Sequence, residues 1–119
     1  MSNGHVMVVD DDRDIRESLA EVLQDEGYSV TGAGNGREAL DALEAGSRPR
    51  VILLDLMMPV MDGYQFYEHW RARPELKSIP LFIVTAGRAS REALPEATHL
   101  LPKPLDLDRL LEMLSAAMK

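Results

Sequence analysis

The chain has 119 residues, no cysteine, 45% hydrophobic residues and a formal net charge of −7 at pH 7. That size and apolar content suit one domain with one core, and the lack of cysteine excludes disulfides, thiolate zinc sites and thiol catalysis. The negative charge opposes binding to nucleic-acid phosphates or to an anionic membrane face, which leaves cations and basic protein surfaces as partners.

No stretch reaches the roughly 18 consecutive apolar residues that span a bilayer. The opening Met-Ser-Asn-Gly-His lacks the basic and apolar parts of a secretory signal. A cytoplasmic, single-domain protein over residues 1–119 is expected.

The first apolar run, Val6 to Val9, is followed by Asp10, Asp11 and Asp12. Ile15, Leu19, Val22 and Leu23 then recur at i, i+4, i+7 and i+8, which predicts a helix to about Glu26 with Gly27 as its stop. The second run, Tyr28 to Thr31, alternates and reads as a strand near a sheet edge. A helix over Arg37 to Glu44 follows, with Asn35 as N-cap and Gly46 as terminator. Val51 to Leu54 is apolar throughout and ends at Asp55. Met57, Met58 and Met61 read as loop and core packing.

The third helix is expected from Gly63 to about Arg73, with Tyr64, Tyr67 and Trp70 as packing residues and Trp70 partly exposed. Leu81 to Val84 forms the next apolar run and ends at Thr85. From Arg88 to Thr98 the chain is interrupted by Pro95, is near the minimum length for a parallel crossover, and has room for about two helical turns. His99 to Leu101 is a short fifth run, followed by Pro102 and Lys103. Asp106 then caps a last helix whose stripe is Leu107, Leu110, Leu111, Leu114 and Met118.

Strands alternating with helices indicate βαβ units, and continuous Val- and Ile-rich runs suit strands covered on both faces of a parallel sheet. Runs one, three and four therefore read as central strands. In such sheets ligands bind beyond the carboxyl ends of the strands, where Asp10, Asp11, Asp55, Thr85 and Lys103 would converge. Close carboxylates repel by a few kcal/mol per pair at an effective dielectric of about 20. A divalent cation or Lys103 must offset that repulsion, and oxygen-only ligands suit magnesium. A carboxylate nucleophile, a metal, a lysine and a hydroxyl are together the parts of a phosphoryl-transfer site. Asp12 reads as a solvated helix start, and His5, His69 and His99 as structural or surface residues. Arg88 and Arg91 read as a solvated helix face.

The segments V-V-D-D-D, L-L-D-L-M-M-P-V-M-D-G, V-T-A and L-P-K-P stand in this order across nearly the whole chain. With them the sequence resembles the receiver domains of two-component response regulators, chemotaxis receivers among them. The resemblance implies a flavodoxin-like, doubly wound (βα)5 three-layer sandwich of α/β class with parallel sheet order 2-1-3-4-5. Asp55 would accept a phosphoryl group from the phosphohistidine of a sensor histidine kinase or histidine phosphotransfer protein. Mg2+, with Mn2+ able to substitute, would be held by Asp10, Asp11, Asp55 and the backbone carbonyl of Met57, Asp11 being a more direct ligand than Asp10. Thr85 and Lys103 would touch the phosphoryl oxygens, and Lys103-Pro104 is a candidate cis peptide. Output would pass through protein–protein interactions to an unknown downstream protein, with no direct contact to nucleic acid or membrane.

The resemblance departs in two places. Leu100 stands where the family usually carries an aromatic residue that rotates inward on phosphorylation, and the short Arg88 to Thr98 segment shrinks the helix between the fourth and fifth strands. Enzymatic turnover of external substrates is not expected, because Met57 occupies the position where phosphatases of the haloacid dehalogenase type need a second acid. A flavodoxin-like cofactor binder would need glycines or hydroxyls after the first run, where acids stand instead. The resemblance further implies that Met57 and Gly87 flank the path of water attacking a phosphoryl group.

Overall fold

The structure is a computed structural model that describes residues 3–85 and 92–118. Its strands are β1 (His5–Val9), β2 (Ser29–Ala33), β3 (Val51–Asp55), β4 (Leu81–Thr85) and β5 (His99–Pro102). The helices are α1 (Arg13–Asp25), α2 (Gly36–Glu44), α3 (Gly63–Ala72), the short α4 (Pro74–Lys77) and α5 (Leu107–Ala117). All strand pairs are parallel and the order is β2-β1-β3-β4-β5. The three continuous apolar runs thus occupy the middle of the sheet, and the alternating and the short run occupy its edges.

Successive strand residues point to opposite faces, and each face receives its own layer of helices. On one face Met7, Val9, Ile52, Leu54, Leu81 and Ile83 pack with Leu40, Phe66 and Trp70 from α2 and α3. On the other, Val6, Val8, Val51, Leu53, Phe82 and Val84 pack with Leu19, Leu23, Leu110 and Leu114 from α1 and α5. Each fully buried side chain of this kind contributes about 1.5–3 kcal/mol relative to exposure, so the flavodoxin-like three-layer sandwich is held by its core. Every residue of β3 is buried, which is why that segment is apolar until it reaches Asp55.

Short acidic and amide side chains open the helices and so fix which way the chain turns after each strand. Asp12 Oδ1 accepts from the backbone N–H of Asp14 at 3.0 Å and of Ile15 at 3.2 Å, Asn35 accepts from Glu38, and Asp106 accepts from Arg109. Asp62 and Gln65 form a reciprocal capping box at the start of α3. At the far end of α1, Gly27 has φ +92°, a backbone state that favours glycine.

Several expectations need correction, among them the packing of Tyr64 and of Leu107, each of which is 39% exposed. β2 begins after Tyr28 and runs on to Ala33. Trp70 is 2% exposed rather than partly exposed, because its Nε1–H donates to the carbonyl of Ile79 at 3.0 Å and the indole can enter the core fully paired. Ile15, placed in the apolar stripe of α1, is exposed, since it lies in the first turn, at the sheet's carboxyl edge where coverage thins. Met57 is 74% exposed rather than packed in the core, whereas Met58 and Met61 lie against the core. Finally, α4 adds a turn of helix before β4, with Pro74 at the first helical position, where its missing N–H costs nothing.

The helix expected between Arg88 and Thr98 lies partly outside the described residues, as do Gly87, Arg88 and Arg91. Glu92 to Thr98 form turns and bends. Leu94 anchors this segment in the core, and the Glu96 N–H donates to the Tyr67 hydroxyl oxygen at 2.9 Å. The Glu96 carboxylate pairs with Arg71 at 2.6 Å and with Lys77, and the two cations hold it below the usual carboxylate range. Among the described residues, no helix is long and apolar enough to cross a membrane.

Candidate functional site

β1, β3, β4 and β5 deliver their following residues to one edge of the sheet. β1 ends at Val9 and hands over to Asp10, which is 7% exposed, and β3 ends at Asp55, also 7% exposed. Asp11 is exposed at the rim. Asp10, Asp11 and Asp55 each offer a carboxylate oxygen, and these oxygens all lie within 4.8 Å of one another. Lys103 enters from the end of β5. Its Nζ lies 3.3 Å from Asp55 Oδ1 and 3.9 Å from Asp10 Oδ2.

Thr85 closes β4 next to β3, where Asp55 pairs in register with Val84. The Lys103 N–H donates to the Thr85 carbonyl at 2.9 Å, which ties the lysine's backbone to the end of β4. Lys103-Pro104 is a cis peptide. Met57 lies in the loop after β3, which returns to the sheet where the Gly63 N–H donates to the Leu56 carbonyl at 2.8 Å. The sheet edge thus brings Asp10, Asp11, Asp55, Thr85 and Lys103 together, with the Met57 loop beside them. Asp12 stands apart as the cap of α1.

Burial pushes the Asp10 carboxyl above its ordinary range by removing water from the charged form, and neighbouring Asp55 and Asp11 push the same way. The Asp12 N–H, which donates to Asp10 Oδ1 at 2.9 Å, and the Lys103 ammonium oppose the rise. Three carboxylates facing one ammonium leave net negative charge in a partly buried crevice. An all-oxygen donor set with that excess charge fits a hard divalent cation, so the cluster could hold one.

One glycine of the site was not recognised from sequence. A Cβ at Gly63 would lie 2.6 Å from both the Asp55 carbonyl oxygen and the Leu56 Cα, so α3 can start against the end of β3 only because no side chain intervenes. The available signal was its place directly after the Asp62 cap, at a helix start where better helix formers are available.

Comparison with known proteins agrees with this arrangement. The model of the response regulator receiver domain matches residues 6–115. The chain is 39% identical over 118 residues to the response regulator MprA of Mycolicibacterium vanbaalenii, an alignment covering 96% of this chain and 50% of that protein. The chain therefore spans about half the length of the curated relatives it matches. Among solved structures, the chemotaxis response regulator CheY4 of Vibrio cholerae superposes with a TM-score of 0.81 at 37% identity, covering 98% of each chain. The receiver domain of the Francisella response regulator 1452 does so with a TM-score of 0.87 at 27% identity, covering 97% of this chain and 96% of that one. Sheet order, acidic crevice and family match together establish that the chain belongs to the response regulator receiver domains, whose typical role is that of a phosphoacceptor in two-component signalling.

Proposed function

We propose that Asp55 is the phosphoacceptor of this receiver and that residues 1–119 act as one receiver unit in the cytoplasm. The observation that carries the reading is the pairing of Asp55 with Lys103 at 3.3 Å, inside a crevice that Asp10 and Asp11 share. A buried carboxylate at a strand end, facing an ammonium and two further acids, is costly to build unless its charge is used.

In this reading Mg2+, for which Mn2+ can substitute, is held by Asp10, Asp11, Asp55 and the Met57 backbone carbonyl. When bound it supplies charge neutralisation for the phosphoryl oxygens. An Asp55 carboxylate oxygen attacks the phosphorus of a phosphohistidine, the P–N bond breaks, and the histidine leaves with the bonding pair. Lys103 and Thr85 donate to phosphoryl oxygens as charge builds there, and because β4 and β5 fix them beforehand, little reorganisation is needed. The donor is a sensor histidine kinase or a histidine phosphotransfer protein, and the phosphorylated form acts on a downstream protein. No external substrate is turned over.

Intact-mass spectrometry after incubation with acetyl phosphate and Mg2+ tests the reading. The expected result is the gain of one phosphoryl group, lost without the metal and in Asp55→Asn. An unchanged mass under saturating donor and metal contradicts it.

A further inference from the structure

Arg16, in the first turn of α1, reaches back to the acidic crevice by an indirect route. Its Nη1 donates to the backbone carbonyl of Asp10 at 2.7 Å. That carbonyl belongs to the planar peptide joining Asp10 to Asp11, so holding it sets the direction in which both side chains leave the backbone. Two further bonds complete the grip on Asp10. Its N–H donates to the Ala33 carbonyl at 3.1 Å, and its Oδ1 accepts from the Asp12 N–H at 2.9 Å.

The path of the Arg16 side chain crosses β2 where β2 has no side chain. A Cβ at Gly32 would lie 3.1 Å from Arg16 Cδ and 3.2 Å from Nε, and one at Gly34 would lie 3.7 Å from Nη1. Gly32 therefore opens a lane for the guanidinium along the exposed edge of the sheet. Its backbone carries no positive φ, so the lane accounts for the missing side chain there where conformation does not.

We propose that Arg16 is a positioning residue that fixes the Asp10–Asp11 peptide for cation binding, with Gly32 as the gap through which it reaches. The inference rests on the functional reading above. It concerns the geometry of the ligands and not their charge, since the guanidinium acts on a carbonyl. Hydrogen-bond partners of this outer kind typically change metal affinity by roughly 10–100-fold when removed.

Calorimetric titration with Mg2+ alone, on the unphosphorylated chain, tests it, with melting in EDTA as a second readout. Arg16→Ala should weaken the Mg2+ Kd roughly tenfold. Gly32→Val, which leaves Arg16 in place but fills its lane, should weaken it in the same direction and decides the matter if Arg16→Ala does not fold. Arg16→Lys, which keeps a donor, should recover most of the loss. Arg13→Ala removes the same charge from the same turn, where Arg13 pairs with exposed Glu17 at 2.8 Å, and should leave the Kd unchanged. Arg16→Ala and Gly32→Val variants that melt earlier in EDTA but bind Mg2+ as tightly as wild type would show a merely structural role and overturn the proposal. Wild-type protein that binds no Mg2+ would overturn the functional reading along with it, so the two failures are distinct.

Discussion

Lys103 Nζ lies 3.3 Å from Asp55 Oδ1, and the two residues come from the ends of strands separated by β4. Among the described residues the Lys103 ammonium is the cation paired with the cluster, so its removal leaves Asp55 beside two other acids. Lys103→Ala is expected to slow Asp55 phosphorylation by acetyl phosphate roughly 100-fold, the scale seen when one preorganised donor to a developing oxyanion is lost. The rate of mass gain in saturating Mg2+ measures this.

Asp10 works against folding when no cation is present. Burial raises its carboxyl above the unfolded value, so the folded state favours the protonated form. Its contribution is therefore fully present below the unfolded value, about 4, and is lost as pH rises through the higher folded value. At neutral pH in EDTA, Asp10→Asn should raise Tm by a few degrees, and the gap should close as pH falls to about 4. The same variant should lose most of the stabilisation that Mg2+ gives the wild-type chain. Melting curves at several pH values, with and without metal, measure both effects.

Gly63 couples the helix start to the acceptor strand. A Cβ there would come within 2.6 Å of backbone atoms of Asp55 and Leu56, which cannot rotate away as a side-chain tip could. Gly63→Ala should cost about 1–3 kcal/mol of stability through overpacking, and should also slow phosphorylation because the displaced backbone carries Asp55. Urea denaturation and the acetyl phosphate rate are the paired measurements.

Met57 stands 74% exposed two residues after Asp55. In the functional reading proposed above, a bulky thioether there would hinder approach of water, and an amide would hold a water molecule instead. Met57→Asn should speed loss of the phosphoryl group several-fold, followed as decay of the phosphorylated mass after donor removal. An unchanged lifetime would contradict the part given to Met57.

The central strands and the converging acids were legible because both follow from the chain alone. Apolar runs such as Val51 to Leu54 can only be buried, and a parallel sheet sends whatever follows each run to the same edge. Asp12 was legible as a helix start for the same local reason, though its capping bonds to Asp14 and Ile15 were not. What escaped depended on distant partners. Trp70 could enter the core only because the Ile79 carbonyl is there to receive its N–H, and Ile15 keeps helical spacing yet sits where the sheet no longer covers it. The need for glycine at position 63 is set by how closely α3 approaches the end of β3, which no local pattern encodes. Arg16 is similar, since its partner is a backbone carbonyl that sequence does not distinguish from any other.

The most direct test of the account is to locate the phosphoryl group. Chain phosphorylated by acetyl phosphate and Mg2+ is reduced with borohydride, which converts an aspartyl phosphate to homoserine, and is then digested and sequenced by mass spectrometry. Conversion is expected at residue 55 alone. Conversion at Asp10, Asp11 or any other residue, or none in protein that has gained the phosphoryl mass, would contradict it.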